Sequence, residues 1–128
     1  MDDGSTGGSG TAPEALNTAV LHSLAEQLGE DIDGLLERFE RRLTETAPAI
    51  ERCLADDDRV ELSRHAHSLK SVAATFGAGA VARSSAELEA RAGSADTAEL
   101  TAAVDRLTRD CVEARAAVAG WLAQRPGS

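Results

Sequence analysis

Apolar residues recur at three- and four-residue intervals along most of the chain, in five blocks parted by short polar or glycine-containing breaks. The first block holds Leu16, Leu21, Leu24 and Leu28 and predicts a helix over roughly 12–28. The second, roughly 32–55, carries Ile32, Leu35, Leu36, Phe39, Leu43, Ala47, Ile50 and Leu54. Pro48 falls inside it and should kink it, because proline removes a backbone donor and crowds the preceding turn. A third helix is predicted over roughly 59–75 and is broken by Gly77 and Gly79; a fourth, over roughly 80–92, ends at Gly93. The fifth, roughly 97–124, places Leu100, Val104, Leu107, Cys111, Ala114, Val118 and Leu122 near heptad spacing. At about 1.5 Å per residue it would be about 40 Å long.

Three of these blocks open with the same device. Thr11-Ala12-Pro13-Glu14, Asp58-Arg59-Val60-Glu61 and Asp96-Thr97-Ala98-Glu99 each put a capping oxygen three residues before a glutamate. The connections are short, so successive long helices should be antiparallel neighbours. The expected fold is all-α: an antiparallel four-helix bundle with an additional short N-terminal helix across one end. The domain should span 12–124, with a flexible tail at 1–11 and a flexible C-terminus at 125–128.

Composition narrows the function. Aromatic residues make up 2% of the chain and tyrosine is absent, which disfavours a sheet. The formal net charge of −9 argues against nucleic acid or an anionic membrane as a partner. There is no apolar run long enough to span a membrane and no signal peptide, so a cytoplasmic location is expected. Cys53 and Cys111 sit alone in apolar stripes and read as reduced core thiols. No metal-ligand spacing is present, and no metal or cofactor is expected in the chain.

The third helix holds the chemistry. At about 100° per residue, Leu62, Ala66, Leu69, Ala73 and Phe76 share a core face. Ser63, Arg64, His67, Lys70, Ser71 and Ala74 lie opposite. His67 should therefore stand in solvent at mid-helix, while His65 falls near the core edge and should be half buried. Free imidazole titrates near pH ~6.5, so at neutral pH it offers a ring nitrogen as nucleophile. Lys70, one turn on, could reach phosphoryl oxygens, and Arg64, one turn back, could assist. His65 and His67 point about 200° apart and cannot readily share one metal ion. His22 has no partner motif and reads as a surface residue. An exposed histidine with a lysine at i+3 is, by itself, most often just a solvated helix face.

The stretch Ala66-His67-Ser68-Leu69-Lys70-Ser71-Val72-Ala73-Ala74-Thr75-Phe76-Gly77 resembles the signature of histidine-containing phosphotransfer (HPt) domains. That signature is Ala-His-x-Leu-Lys-Gly, then small residues, then a glycine ten positions past the histidine. Leu54-Ala55-Asp56-Asp57-Asp58 and Ala86-Glu87-Leu88-Glu89 extend the likeness, which covers about 30–122. Ser71 departs from the usual glycine, and Pro48 is displaced from its usual place.

The resemblance implies a monomeric phosphorelay intermediate. His67 would take a phosphoryl group from the aspartate of one receiver domain, in a hybrid sensor kinase, and pass it to a response regulator. Lys70 would steady the phosphate, and the receiver would supply Mg²⁺. The chain lacks a nucleotide loop, so no kinase or ATPase activity of its own is expected. Docking is expected around Arg64, Ser68, Ser71 and Ala74, with Arg41, Arg42 and Glu45 as candidates from the second helix. The rival reading is a non-catalytic adaptor in which His67 is incidental.

Overall fold

A computed structural model describes residues 14–125. Its five helices are α1 (Thr18–Leu28), α2 (Asp31–Ala55), α3 (Arg59–Thr75), α4 (Gly79–Arg91) and α5 (Thr97–Ala123), and no strand occurs among the described residues. Capping chemistry sets the starts of α3 and α5. Asp58 accepts the Glu61 N–H at 3.2 Å. Asp96 and Glu99 complete a reciprocal capping box, with bonds of 2.8 and 3.2 Å. α2 runs through Pro48 as one continuous helix.

α2, α3, α4 and α5 pack in a ring, each against the next, and α5 closes on α2 while α1 packs on α2. Cross-helix bonds show the antiparallel sense. Arg59, at the start of α3, donates to the carbonyls of Ala92 and Ala95 past the end of α4, at 3.2 and 2.6 Å. Ser84 pairs with Asp110, and Glu87 with Arg106 at 3.3 Å, so α4 and α5 run in opposite directions. The ring encloses one core. Leu36, Phe39, Leu43 and Ile50 of α2 meet Leu62, Ala66, Leu69 and Ala73 of α3. Val81 and Leu88 of α4 and the α5 heptad from Leu100 to Val118 complete it. Leu122 is half buried and packs against this core. Cys111 is buried among these residues, and burial pushes its thiol up to about 12. Cys53 is half buried and also free.

Three expectations need correction or a boundary. The first helix starts at Thr18, not near 12, because Glu14 to Asn17 spend their backbone groups sideways. Asn17 N–H donates to the Gly77 carbonyl at 2.8 Å, and Ala80 N–H to the Glu14 carbonyl at 3.1 Å. Asn17 then caps α1 through Ala19 N–H at 3.0 Å. The capping pattern at Thr11 and the tail boundary lie outside the described residues. Arg125, assigned above to a flexible end, is held: its Nε donates to Asp33 at 2.9 Å and its guanidinium lies 5.1 Å from the Trp121 ring centre. His22 is exposed and meets the edge of the same ring.

Gly77 stops α3. Ala78 N–H returns to Ala73 and Gly77 N–H to Ala74, the paired bonds of a Schellman turn. The glycine has φ +75, and a Cβ there would come within 3.0 Å of Val20 Cβ and 3.1 Å of Asn17 O. Glycine is therefore required both by the turn and by the approach of α1.

Ser85 sits in the core face of α4, fully buried, and its hydroxyl has no hydrogen-bond partner among the described residues. An unsatisfied buried donor is destabilising. Ser85→Ala should therefore raise stability by about 1 kcal/mol. A chemical-denaturation midpoint below wild type would contradict this.

Candidate functional site

The core stripe of α3 turns His67 outward at mid-helix, where its side chain is 62% exposed. His65, two residues earlier, is half buried, as its angular position requires. Leu88 is buried in the core and places its neighbour Glu89 on the α4 flank that faces α3. Glu89 then contacts both cationic candidates. Its Oε2 lies 2.8 Å from His67 Nδ1, and its Oε1 accepts from Lys70 Nζ at 2.9 Å.

Electrostatics fixes the roles in this triad. The Lys70 hydrogen bond holds the Glu89 carboxyl below its usual range against the opposing effect of desolvation, and the His67 bond adds to the lowering. Glu89 is therefore a carboxylate at neutral pH, and a carboxylate only accepts. The proton on the shared His67 bond must sit on Nδ1, so in the neutral ring it is Nε2 that carries the free lone pair. No described residue hydrogen-bonds to Nε2. Because Glu89 is lowered on folding, its contribution to stability is present above the ordinary carboxylate pKa. It is lost as pH falls through the lowered folded value.

The other candidates surround this group unevenly. Ser68 is half buried and accepts a hydrogen bond from Arg42 of α2. Ser71 is exposed, and its hydroxyl turns back to the His67 carbonyl at 3.4 Å, so it adds little bulk beside the imidazole. Ala74 is exposed and small. Arg64 is exposed but pairs with Glu61, one turn away from His67 on the N-terminal side. Arg41 and Glu45 are exposed on α2. Glu89 was not singled out from sequence, although it lies in a stretch that carried the likeness. Among the described residues, no group of three or more His, Cys, Asp or Glu side chains is arranged to hold a metal ion. No described helix is long and apolar enough to cross a membrane.

The Hpt domain family profile matches residues 34–117. The phosphorelay protein LuxU of Vibrio vulnificus, strains YJ016 and CMCP6, is 35% identical over 99 residues, spanning 73% of this chain and 86% of the relative. The crystal structure of histidine-containing phosphotransfer protein B (HptB) from Pseudomonas aeruginosa PAO1 superposes with a TM-score of 0.81 at 24% identity, over 87% of this chain and 96% of that one. The HPT domain of a Shewanella sensor hybrid histidine kinase superposes with a TM-score of 0.75 at 19% identity, over 88% and 97%. An exposed histidine on a closed helical bundle is the form of a phosphotransfer module. The chain belongs to the Hpt domain family.

Proposed function

We propose that the chain is a phosphorelay intermediate whose acceptor atom is His67 Nε2. One observation carries this: the imidazole is exposed, while Glu89 holds its other nitrogen at 2.8 Å. In the transfer, Nε2 attacks the phosphorus of a partner's aspartyl phosphate. The N–P bond forms, the P–O bond breaks, and the aspartate leaves as a carboxylate. The ring keeps its Nδ1 proton and so becomes cationic, with the Glu89 carboxylate against it. No proton has to leave the chain at the moment of attack. The second transfer is the reverse, with another aspartate as nucleophile.

Phosphoryl transfer asks mainly for alignment and charge stabilisation. Lys70 is one turn from His67, and its ammonium retains donors beyond the one given to Glu89. It can turn these to the phosphoryl oxygens. The receiver supplies Mg²⁺ and the acidic pocket that holds it, so this chain needs no metal. Arg64, Ser68, Ser71 and Ala74 form the rim on which the receiver rests. In this reading the protein works as a monomer in the cytoplasm, alone or as a module of a sensor kinase, between a hybrid kinase receiver and a response regulator.

The test is a transfer panel. Receiver domains labelled with radioactive acetyl phosphate are mixed with the purified chain. At least one should pass its label rapidly, as an acid-labile, base-stable adduct. The chain incubated with ATP and Mg²⁺ alone should remain unlabelled. Absence of transfer from every receiver would contradict the relay, and self-labelling from ATP would contradict the passive role.

A further inference from the structure

Ser71 stands where the HPt signature carries glycine, so this chain has a hydroxyl group one turn past its acceptor histidine. Helix geometry places that hydroxyl. At about 100° per residue, Lys70 lies about 60° to one side of His67 and Ser71 about 40° to the other. Glu89 of α4 touches both His67 and Lys70, so α4 flanks the Lys70 side and Nδ1 is turned that way. The opposite edge of the ring, which carries Nε2, is turned from Glu89 toward the flank of Ser71. Helical side chains lean toward the N-terminus, which brings the Ser71 hydroxyl back over the turn of His67. Its oxygen lies 3.4 Å from the His67 carbonyl, in keeping with that lean. An O–H donor usually sits about 2.5–3.0 Å from its acceptor, so this proton is weakly held. Ser71 is exposed, and no other acceptor for its hydroxyl occurs among the described residues.

We infer that Ser71 is a ligand of the phosphoryl group on His67: once Nε2 is phosphorylated, its hydroxyl leaves the carbonyl and donates to a phosphoryl oxygen. This deepens the phosphorelay reading and rests on it. The phosphoryl oxygens are anionic, and a charge-assisted bond to one of them is shorter and stronger than the 3.4 Å bond it replaces. The exchange needs only rotation of a short side chain. The carbonyl given up keeps its helical partner, the Ser71 N–H. Lys70 then meets the phosphoryl group from the α4 side and Ser71 from the other. The new bond exists only in the phosphorylated chain, so its consequence is thermodynamic. It moves the balance between phosphorylated chain and phosphorylated receiver toward the chain. Glycine at this position has no donor to offer.

The experiment uses the full chain, the receiver that exchanges fastest in the panel above, and the variants Ser71→Ala and Ser71→Thr. Second-order rates are measured in both directions, with phosphorylated chain prepared from phosphoramidate, a small donor that needs no docking surface. The ratio of forward to reverse rate is the equilibrium constant. A residue that acts only on docking changes both rates by one factor and leaves the ratio alone, whereas a ligand of the phosphoryl group changes the ratio. Ser71→Ala should lower it about 3–10-fold, the scale of one lost hydrogen bond. Ser71→Thr keeps the hydroxyl and should stay within about twofold of wild type. The ³¹P resonance of the phosphohistidine should move in Ser71→Ala and remain near its wild-type position in Ser71→Thr. A wild-type ratio in Ser71→Ala, even with both rates altered, would overturn the proposal. So would a Ser71→Thr ratio as low as that of Ser71→Ala, because the hydroxyl would then not be what acts. Failure of wild type to accept from phosphoramidate and from every receiver would instead remove the relay reading beneath it.

Discussion

Replacing His67 by glutamine should abolish phosphoryl acceptance, with the rate from any donor receiver falling roughly a thousandfold or more, the scale on which loss of a nucleophile acts. Glutamine keeps an amide that can meet Glu89 but has no basic nitrogen to attack phosphorus. His67 is exposed and contributes nothing to the core, so stability should stay within about 0.5 kcal/mol of wild type. Receiver binding should persist for the same reason. The expected result is a folded chain that binds its receiver and takes no acid-labile label. A label that persisted in the variant would sit on another residue and would remove His67 from the account.

The second large effect concerns Glu89. Glu89→Ala should slow transfer by about 10–100-fold, the usual cost of removing the group that orients a reactive imidazole. Two things are lost at once. The ring is free to place its proton on Nε2, and the cationic phospho-ring loses its carboxylate. Lys70 also loses the oxygen to which it donates at 2.9 Å. Glu89→Gln separates these effects. Its carbonyl can still accept from Nδ1–H, so tautomer control should partly survive, whereas the charge does not. An intermediate rate is expected, with the ring ¹⁵N shifts of His67 closer to wild type than those of Glu89→Ala. Equal rates in wild type and Glu89→Ala, with unchanged ring shifts, would mean that the 2.8 Å contact has no role. The pH dependence follows the same logic. Glu89 is held below the usual carboxylate range, so the stabilising effect of its pairing with Lys70 and His67 should survive as pH drops past an ordinary glutamate pKa of about 4.3. The effect should fade only as pH falls through the lowered value.

How much of this was legible in the residues depends on the distance over which each feature is determined. The facing of α3 follows from five core positions and a rotation of about 100° per residue. That rotation alone separates an exposed His67 from a half-buried His65. The capping box at Asp96 was equally local. The capping pattern at Thr11 met the same local rule, yet described helix begins only at Thr18. The backbone groups of Glu14 and Asn17 bond to the α3–α4 turn, and that is a tertiary fact. Glu89 was hidden for a related reason: its role exists only across two helices. A signal was present, however. The turn at Gly77–Ala78 folds α4 back on α3, and His67 and Glu89 each lie eleven residues from Ala78. An antiparallel hairpin brings such positions together. Arg42 was one of three candidates on the second helix, and only its bond to Ser68 distinguishes it from Arg41 and Glu45. Arg64 was expected to lean toward His67; its pairing with Glu61 directs it the other way.

Long-range ¹H–¹⁵N correlation of the histidine rings, recorded on the chain after a receiver has phosphorylated it, interrogates the acceptor atom itself. A phosphoryl group on Nε2 of residue 67, beside a protonated Nδ1, is the outcome required here. Finding it on Nδ1 of that ring, or on either ring of His65 or His22, would contradict the assignment.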